Sequence, residues 1–190
     1  MTANSRSKAA AGSGWRIIDG GITAPQGYLA SGVSAGIKKK GLDLAIVFSS
    51  QTASAAGVFT LNRVQAAPVV LCKEHLKLSR GRMRAVLINS GCANACTGER
   101  GMHDSVLSTQ CLASNLNIEP SHVLVASTGV IGSFLPMPAL LKGISSAVSA
   151  LNSQGGGAAA RAIMTTDTRE KSIAVEGRIG GKTVRISGMA

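Results

Sequence analysis

Aromatic side chains are scarce in this sequence of 190 residues, because Phe, Trp and Tyr together make up only 3% of it. Proteins that bind single-stranded nucleic acids stack the bases on aromatic rings, so this shortage argues against that class of function. Apolar residues nevertheless reach 45%, and the core must be built from Ala, Val, Ile and Leu. Such aliphatic cores are typical of buried strands in α/β proteins. A chain of this length suffices for one domain with a hydrophobic core.

Acidic residues are also few: 9 Asp and Glu stand against 20 Lys and Arg, which gives a net charge of +11. This charge suits a nucleic acid, an anionic small substrate or an acidic protein partner, and composition leaves these alternatives open. The basic clusters Lys38–Lys40 and Arg80–Arg84 accompany no basic helix face. We interpret both clusters as solvated loops and predict no nucleic-acid partner.

Long apolar runs are missing, and the first residues lack the apolar region of a secretory signal. We therefore predict no membrane segment, a cytoplasmic protein and reduced thiols. Two of the four cysteines, Cys92 and Cys96, precede His103, but their spacing matches no structural zinc pattern. We predict no metal site and interpret these cysteines as small buried packing residues.

The N-terminal stretch over residues 2–14 contains Ser, Ala and basic residues but no acid. An organelle transit peptide has such a composition, although this stretch is short and only weakly amphipathic. We predict a flexible tail over residues 1–19 and a single domain over residues 20–190.

Local patterns predict the elements of this domain. Short apolar or alternating runs predict strands over residues 42–48, 56–60, 68–71, 84–88 and 122–125. Apolar residues at helical spacing predict helices over residues 104–116 and 137–151, with Gly155–Gly157 ending the second and a further helical turn over 158–164. Alternation on both sides of Gly180 and Gly181 predicts a terminal hairpin over residues 172–187.

Two of the predicted strands are followed by small, glycine-rich segments, over residues 89–98 and 126–132. Small residues leave backbone N–H groups uncovered, and such donors stabilise an oxygen that becomes negatively charged during acyl transfer. Thr128 and Gly129 are the candidate for such an oxyanion hole, because they combine a hydroxyl with a glycine N–H. The alternative is an ordinary strand–turn–helix junction in which Ser127 or Thr128 caps the helix.

The segment Met164–Thr168 places three threonines beside Asp167. Its polar groups suit an amino-acid substrate, although an ordinary turn before the next strand has the same composition. No nucleophile is evident, because the three histidines share no motif and no catalytic triad can be assigned. Phosphate-binding and dinucleotide-binding glycine motifs are missing as well, so we predict no cofactor.

Taken together and in order, these motifs resemble the ornithine acetyltransferase (glutamate N-acetyltransferase) family of arginine biosynthesis. The resemblance rests on the segments 21–27, 35–38, 56–60, 89–98, 126–132 with 135–137 just after it, and 162–168. It extends from about Gly20 to Ala190, and several ordered motifs are far more specific than any single one. Cys92 departs from the family pattern, which often has Asn or another small residue there, and we assign it no catalytic part.

The resemblance implies an α/β fold, a layered αββα sandwich like that of N-terminal-nucleophile hydrolases, completed by a β chain. The family's precursor cuts itself into α and β chains, and the β chain begins with the nucleophilic threonine. This sequence resembles the α part, which accounts for the missing nucleophile, and the expected assembly is an α2β2 heterotetramer. The family's substrate-binding lysine and cleavage junction are expected beyond Ala190.

The implied activity is acetyl transfer from N-acetylornithine to glutamate through an acetyl-threonine intermediate, without cofactor or metal. Whether acetyl-CoA is a second donor stays open. By motif match, Thr128 and Gly129 would form the oxyanion hole and Thr165 would contact the substrate. Two alternatives also stay open: a self-cleaving aminopeptidase or amidase of similar fold, and a basic module that binds nucleic acid.

Overall fold

The computed structural model of the chain describes residues 14–190. Within them, the strands are β1 (Arg16–Ile17), β2 (Tyr28–Val33), β3 (Leu44–Ser54), β4 (Arg82–Cys92), β5 (Val123–Val130), β6 (Ser172–Ile179) and β7 (Lys182–Met189). The helices are α1 (Ala67–Leu78), α2 (Gly98–Leu116), α3 (Met137–Ser149) and α4 (Gly156–Ala162).

The larger of two sheets has the strand order β2-β3-β4-β5. Its first three strands are antiparallel neighbours, whereas β5 runs parallel to β4. A parallel pair cannot be joined by a tight turn, and α2 provides the crossover between these two strands. The smaller sheet has the order β1-β6-β7 and is antiparallel throughout.

The main hydrophobic core lies on one face of the larger sheet, beneath α1, α2 and α3. Alternate strand residues point into it, because successive side chains of a strand face opposite sides. The buried strand residues are Leu44, Ile46, Ala85, Leu87, Cys92, Val123 and Val125. The buried helix residues are Leu71, Cys72, Leu112, Ala113, Leu140, Ile144 and Ala147. The core is aliphatic, as composition predicts.

The opposite face of the larger sheet carries α4, which contacts β2 and β3. Small residues line this contact, and Ala30, Ala45 and Ala159 are completely buried in it. A Cβ atom on Gly32 would lie 2.1 Å from the carbonyl oxygen of Ala158, so only glycine lets α4 approach β2 this closely. Helices on both faces of the sheet confirm the predicted layered α/β class.

Elements with strong local signals are confirmed. They are α3, the helical turn that forms α4, and the terminal hairpin of β6 and β7. Gly180 and Gly181 at the hairpin turn have φ values of 56° and 77°, as the favoured two-residue hairpin turn requires. Residues 14–190 contain no helix with the length and apolar content to span a bilayer.

Several local predictions are wrong. Residues 68–71 lie in α1 rather than in a strand, with Pro68 in the first turn, where no N–H partner is needed. Residues 56–60 form no strand, and Val58 is fully exposed. α2 begins at Gly98, well before the predicted residue 104. Gly155–Gly157 open α4 instead of ending α3.

The predicted flexible tail over residues 1–19 needs correction where the structure describes it. Residues 1–13 lie outside the described residues. Arg16 and Ile17 form β1 and pair with Glu176 and Val175 of β6. A two-residue strand with such a distant partner leaves no periodic pattern in the local sequence, so its pairing is a tertiary effect.

Glu176 joins the three strands of the smaller sheet. Its carboxylate accepts hydrogen bonds from Arg16 Nη2 at 2.6 Å and from Arg185 Nε at 2.8 Å. The bond from Arg16, then that from Arg185, and the charges of both arginines hold the pKa of Glu176 below its usual value. Trp15 packs beside this junction, because a Cβ atom on Gly177 would lie 2.5 Å from its ring.

We expect the attachment of β1 to weaken in acid. A carboxylate whose pKa is lowered by folding stabilises the folded state above about pH 4.3, the ordinary Glu value, and this contribution is lost as the pH falls through the folded pKa. The emission of Trp15, the single tryptophan, should shift to longer wavelength below about pH 4. Glu176→Gln should show that shift already at neutral pH.

Glu170→Gln is the matched control for this titration, because it removes a more exposed ion pair with Arg161. Its Trp15 emission should follow the wild-type pH profile. Identical profiles for Glu176→Gln and Glu170→Gln would contradict the proposed role of Glu176.

Candidate functional site

Thr128 and Gly129 lie within β5, not in a turn after it. β5 continues to Val130 and pairs in parallel register with β4, so that Ser90 faces Thr128 and Gly91 faces Gly129. The predicted strand–turn–helix junction is therefore wrong. Ser, Thr and Gly at the end of a strand have the composition of a turn, and only pairing with a neighbouring strand keeps them extended.

Gly129 occupies a backbone conformation that other residues rarely adopt, with φ at 132°. A Cβ atom there would lie 2.3 Å from the carbonyl carbon of Gly91 and 2.6 Å from the nitrogen of Cys92. The two strands therefore approach each other more closely at this position than any side chain would allow. The absence of a side chain also leaves the backbone of exposed Gly129 accessible.

Thr128 is exposed and lies on the sheet face opposite the three-helix layer. Ser90, the register partner of Thr128 on β4, has its side chain on the same face of the sheet. This is the face that carries α4, because Ser90 Oγ donates a hydrogen bond to the carbonyl of Ala162 at the end of α4, at 2.6 Å. The Thr128 hydroxyl has no hydrogen-bond partner within residues 14–190. Exposed Ala126 lies on the same face of β5, so this part of the sheet is open.

Ser90 of β4 and Lys38 of the loop between β2 and β3 bind the segment that carries Thr165. Ser90 binds the Ala162 carbonyl, and Lys38 Nζ donates to the carbonyl oxygen of Met164 at 3.0 Å. Thr165 follows immediately and is exposed. The structure thus brings the Thr165 segment to the face of the sheet that carries Thr128.

Asp167 in this segment is not a free carboxylate. It forms an ion pair with Lys171, and the hydrogen bond and charge of Lys171 lower its pKa. Residues 163–171 contain no helix or strand. The alternative interpretation as a turn that leads into β6 is therefore structurally correct for Asp167, while Thr165 stays available for a ligand.

Asp43 connects the 35–38 loop to β4 beside the site, and the motifs in the sequence do not indicate this role. The residue is completely buried, and its carboxylate accepts backbone N–H bonds from Ala35, Ile37 and Lys38 at 2.6 to 2.8 Å. Its own carbonyl accepts the N–H of Ser90 at 2.9 Å. The signal in the sequence is an acid placed between Leu42 and Leu44, in a run that predicts a buried strand. A carboxylate buried there needs several hydrogen-bond donors, so its position indicates a structural role.

The polar residues of the 89–98 segment mainly serve structure. Asn94 is completely buried and donates from Nδ2 to the carbonyl of Gly101 and to Ser105 Oγ, both at 2.9 Å. Thr97 Oγ1 donates to Asn94 Oδ1 at 2.8 Å. These bonds fix the start of α2 to the end of β4, and no catalytic part is needed to explain them.

The four cysteines differ in exposure, and Cys111 is half-buried. Cys92 is buried, as predicted, and so is Cys72, whose burial raises its pKa. Cys96 is exposed, so its interpretation as a buried packing residue is wrong. In the part of the chain that the structure describes, no three His, Cys, Asp or Glu side chains come together as a metal site would require.

The interpretation of both basic clusters as solvated loops needs correction, because they are only partly solvated and Arg82–Arg84 belong to β4. Lys39 and Lys40 are exposed, but Lys38 is half-buried. Arg84 Nε donates to the carbonyl of Ser49 at 2.8 Å, and its guanidinium lies 5.0 Å from the centre of the Phe48 ring. Lys38 and Arg84 therefore make contacts within the fold.

A separate groove of about 590 Å³ lies at the other end of the larger sheet. Tyr28, Ser50 and Arg185 belong to its lining. Tyr28 pairs with Ser49, at the end of β3 remote from the level of Ser90 and Thr128. This groove is therefore distinct from the candidate site.

The fold is a layered α/β arrangement. The candidate site lies on the open part of its larger sheet, where the parallel strands β4 and β5 end in small polar residues. Comparison with known proteins then identifies the family. The ArgJ family matches residues 29–190, and the chain belongs to this family.

Two similar proteins are both named arginine biosynthesis bifunctional protein ArgJ. One from Prochlorococcus marinus is 52% identical over 177 residues, and one from Parasynechococcus marenigrum is 51% identical over the same length. Each match covers 93% of this chain but 43% of the relative. The chain thus spans less than half the length of these curated relatives.

Two crystal structures share the fold with a TM-score of 0.85 each. One is arginine biosynthesis bifunctional protein ArgJ from Bacillus halodurans, 38% identical, with 94% of both chains covered. The other is ornithine acetyltransferase from Mycobacterium tuberculosis in complex with ornithine, 42% identical, with 93% of this chain and 94% of that chain covered.

The close approach of β4 and β5 yields a test. Gly129→Ala should destabilise the protein by about 2 kcal/mol, because the new Cβ collides with the backbone of β4 and the φ value is unfavourable. Thermal unfolding measures this cost. Gly188→Ala is the control, since a Cβ there meets nothing within 4 Å. Equal melting temperatures for the two variants would contradict the described register.

Proposed function

We propose that this chain is the α chain of a glutamate N-acetyltransferase of arginine biosynthesis, which acts in the cytoplasm. The enzyme would move an acetyl group from N-acetylornithine to glutamate. The observation that carries the proposal is the likeness to the ornithine acetyltransferase solved with ornithine, at 42% identity and a TM-score of 0.85. Likeness at this level extends over nearly the whole chain and includes the candidate site.

The lengths of the matching proteins support a two-chain enzyme. The curated relatives are more than twice as long as their match to this chain, which covers 43% of them. The matching chains in the crystal structures, by contrast, are covered to 94%. A precursor that is divided into an α and a β chain accounts for both figures. We propose that the β chain begins with the nucleophilic threonine and that the assembly is an α2β2 heterotetramer.

The proposed reaction proceeds through an acetyl-threonine. The β-chain threonine oxygen attacks the acetyl carbonyl carbon of N-acetylornithine, while the threonine's own α-amine accepts the hydroxyl proton. The C–N bond breaks, and ornithine leaves with that proton on its amine. The amine of glutamate then attacks the acetyl ester, N-acetylglutamate forms, and the threonine regains its proton.

Thr128 and Gly129 would stabilise the carbonyl oxygen when it becomes an oxyanion. Three observations support this role: the Thr128 hydroxyl is exposed, Thr128 lies on the open face of the sheet, and the exposed backbone of neighbouring Gly129 carries no side chain. Donors held by a sheet need no rearrangement when charge develops. Thr165 on the same face would position the amino-acid substrate.

Loss of the Thr128 hydroxyl should reduce turnover far more than substrate binding. In the co-expressed α and β chains, Thr128→Ala should lower kcat for acetyl transfer about 100-fold or more, with little change in KM, because the lost interaction acts on the transition state. Thr128→Ser keeps the hydroxyl and should retain most activity. An unchanged kcat in Thr128→Ala would remove the oxyanion assignment.

The substrate assignment is tested with the full-length gene. The purified enzyme should form N-acetylglutamate from N-acetylornithine and glutamate, and mass spectrometry should find an acetyl group on the first residue of the β chain. Hydrolysis of peptides or simple amides without acetyl transfer would instead indicate a self-cleaving aminopeptidase or amidase. Because the relatives are named bifunctional, acetyl-CoA is assayed as a second donor.

A further inference from the structure

We propose that Lys38 is a positioning residue that holds the Thr165 segment against β4, so that Thr165 meets the substrate in a fixed place. The proposal rests on the proposed function for its kinetic consequence, but the contact itself is a structural feature. Lys38 belongs to the 35–38 segment, which has no part in the proposed chemical steps.

The lysine side chain crosses the strand at Gly91. A Cβ atom on Gly91 would lie 2.7 Å from Lys38 Cγ, and Gly91 has a φ of 106°, so glycine makes room for the aliphatic stem. Beyond this crossing, the ammonium donates to the carbonyl of Met164 at 3.0 Å. Lys38 therefore bridges the strand neighbour of Gly129 and the residue before Thr165.

The other end of the bridge is fixed by the buried carboxylate of Asp43. The backbone N–H of Lys38 donates to Asp43 Oδ2 at 2.8 Å, next to the bond from Ile37 at 2.7 Å. Asp43 in turn accepts the N–H of Ser90 through its own carbonyl. The backbone of Lys38 is already ordered by these bonds, and the packing of its stem over Gly91 restricts the side chain, so less entropy remains to be lost when the ammonium binds.

The ammonium has no competing partner in the described part of the chain. None of the ion pairs found within residues 14–190 includes Lys38. The Asp43 carboxylate is occupied by three backbone N–H groups, and Asp167 pairs with Lys171. A hydrogen bond from a charged donor is about twice as strong as a neutral one. The Met164 carbonyl thus receives a strong bond in a half-buried place.

Lys38→Met tests the bridge, because it keeps the apolar stem and removes the donor. In the assembled α and β chains, KM for N-acetylornithine should rise about tenfold or more, while kcat changes less than about threefold, since a charged hydrogen bond is lost at a binding element. Lys38→Arg retains a charged donor and should recover most of the affinity. Lys39→Met, at an exposed neighbouring lysine, should behave as wild type.

Hydrogen exchange provides a readout that does not depend on activity. The amides of residues 163–168 should exchange faster in Lys38→Met than in Lys39→Met, with unchanged exchange in α1 and α2. If Lys38→Met does not assemble, Lys38→Gln, whose side chain is shorter, should show the same faster exchange. Exchange and KM values equal to those of Lys39→Met would overturn the proposal.

The two proposals can fail separately. If the wild-type enzyme does not transfer acetyl from N-acetylornithine, the proposed function fails, and the exchange comparison still decides whether Lys38 holds the segment. If acetyl transfer is found and both lysine variants match in exchange and KM, only the role of Lys38 is wrong.

Discussion

The parallel pairing of β4 and β5 is the constraint on which the candidate site depends. It aligns Ser90 with Thr128 and Gly91 with Gly129, and the missing side chain of Gly129 permits a backbone approach that any side chain would block. The same strand end receives the loop of Lys38 through the carboxylate of Asp43. Four separate parts of the chain are thereby held together at the end of β4 and β5. Hydrogen-bond donors that stabilise a developing charge must be held in place in advance, and this arrangement suits that requirement.

The two faces of the larger sheet differ in a way that explains why such an edge is available. Three helices bury one face in a continuous aliphatic core. On the other face α4 packs mainly against β2 and β3, through alanines and glycines that allow close contact, and its end is bound by Ser90 of β4. The end of β5 is left uncovered, with exposed Ala126, Thr128 and Val130. An open face of this kind is where a second layer would pack in a sandwich, and it agrees with a chain that matches under half of its curated relatives.

Prediction from sequence succeeded where the signal is local. The apolar spacing along α3 and the alternation around Gly180 and Gly181 are each contained within one element, so the pattern and the structure agree. It failed where tertiary packing decides. The apolar residues after Pro68 suit a strand or a helix equally, and packing of α1 on the sheet selects the helix. Thr128 and Gly129 have turn composition, and pairing with β4 keeps them in a strand.

The sequence by itself determined the aliphatic core, the α/β class and, through ordered motifs that resemble one family, the candidate residues Thr128, Gly129 and Thr165. Only the tertiary structure decided that the segment before Thr165 lies against the strand region next to Thr128, because Ser90 and Lys38 bind this segment across more than 70 residues of chain. It also decided that Asp43 is buried and saturated with backbone donors. The sequence shows a single acid in an apolar run. Which N–H groups bind its buried carboxylate depends on the residues that surround it in space, and only the tertiary structure gives these.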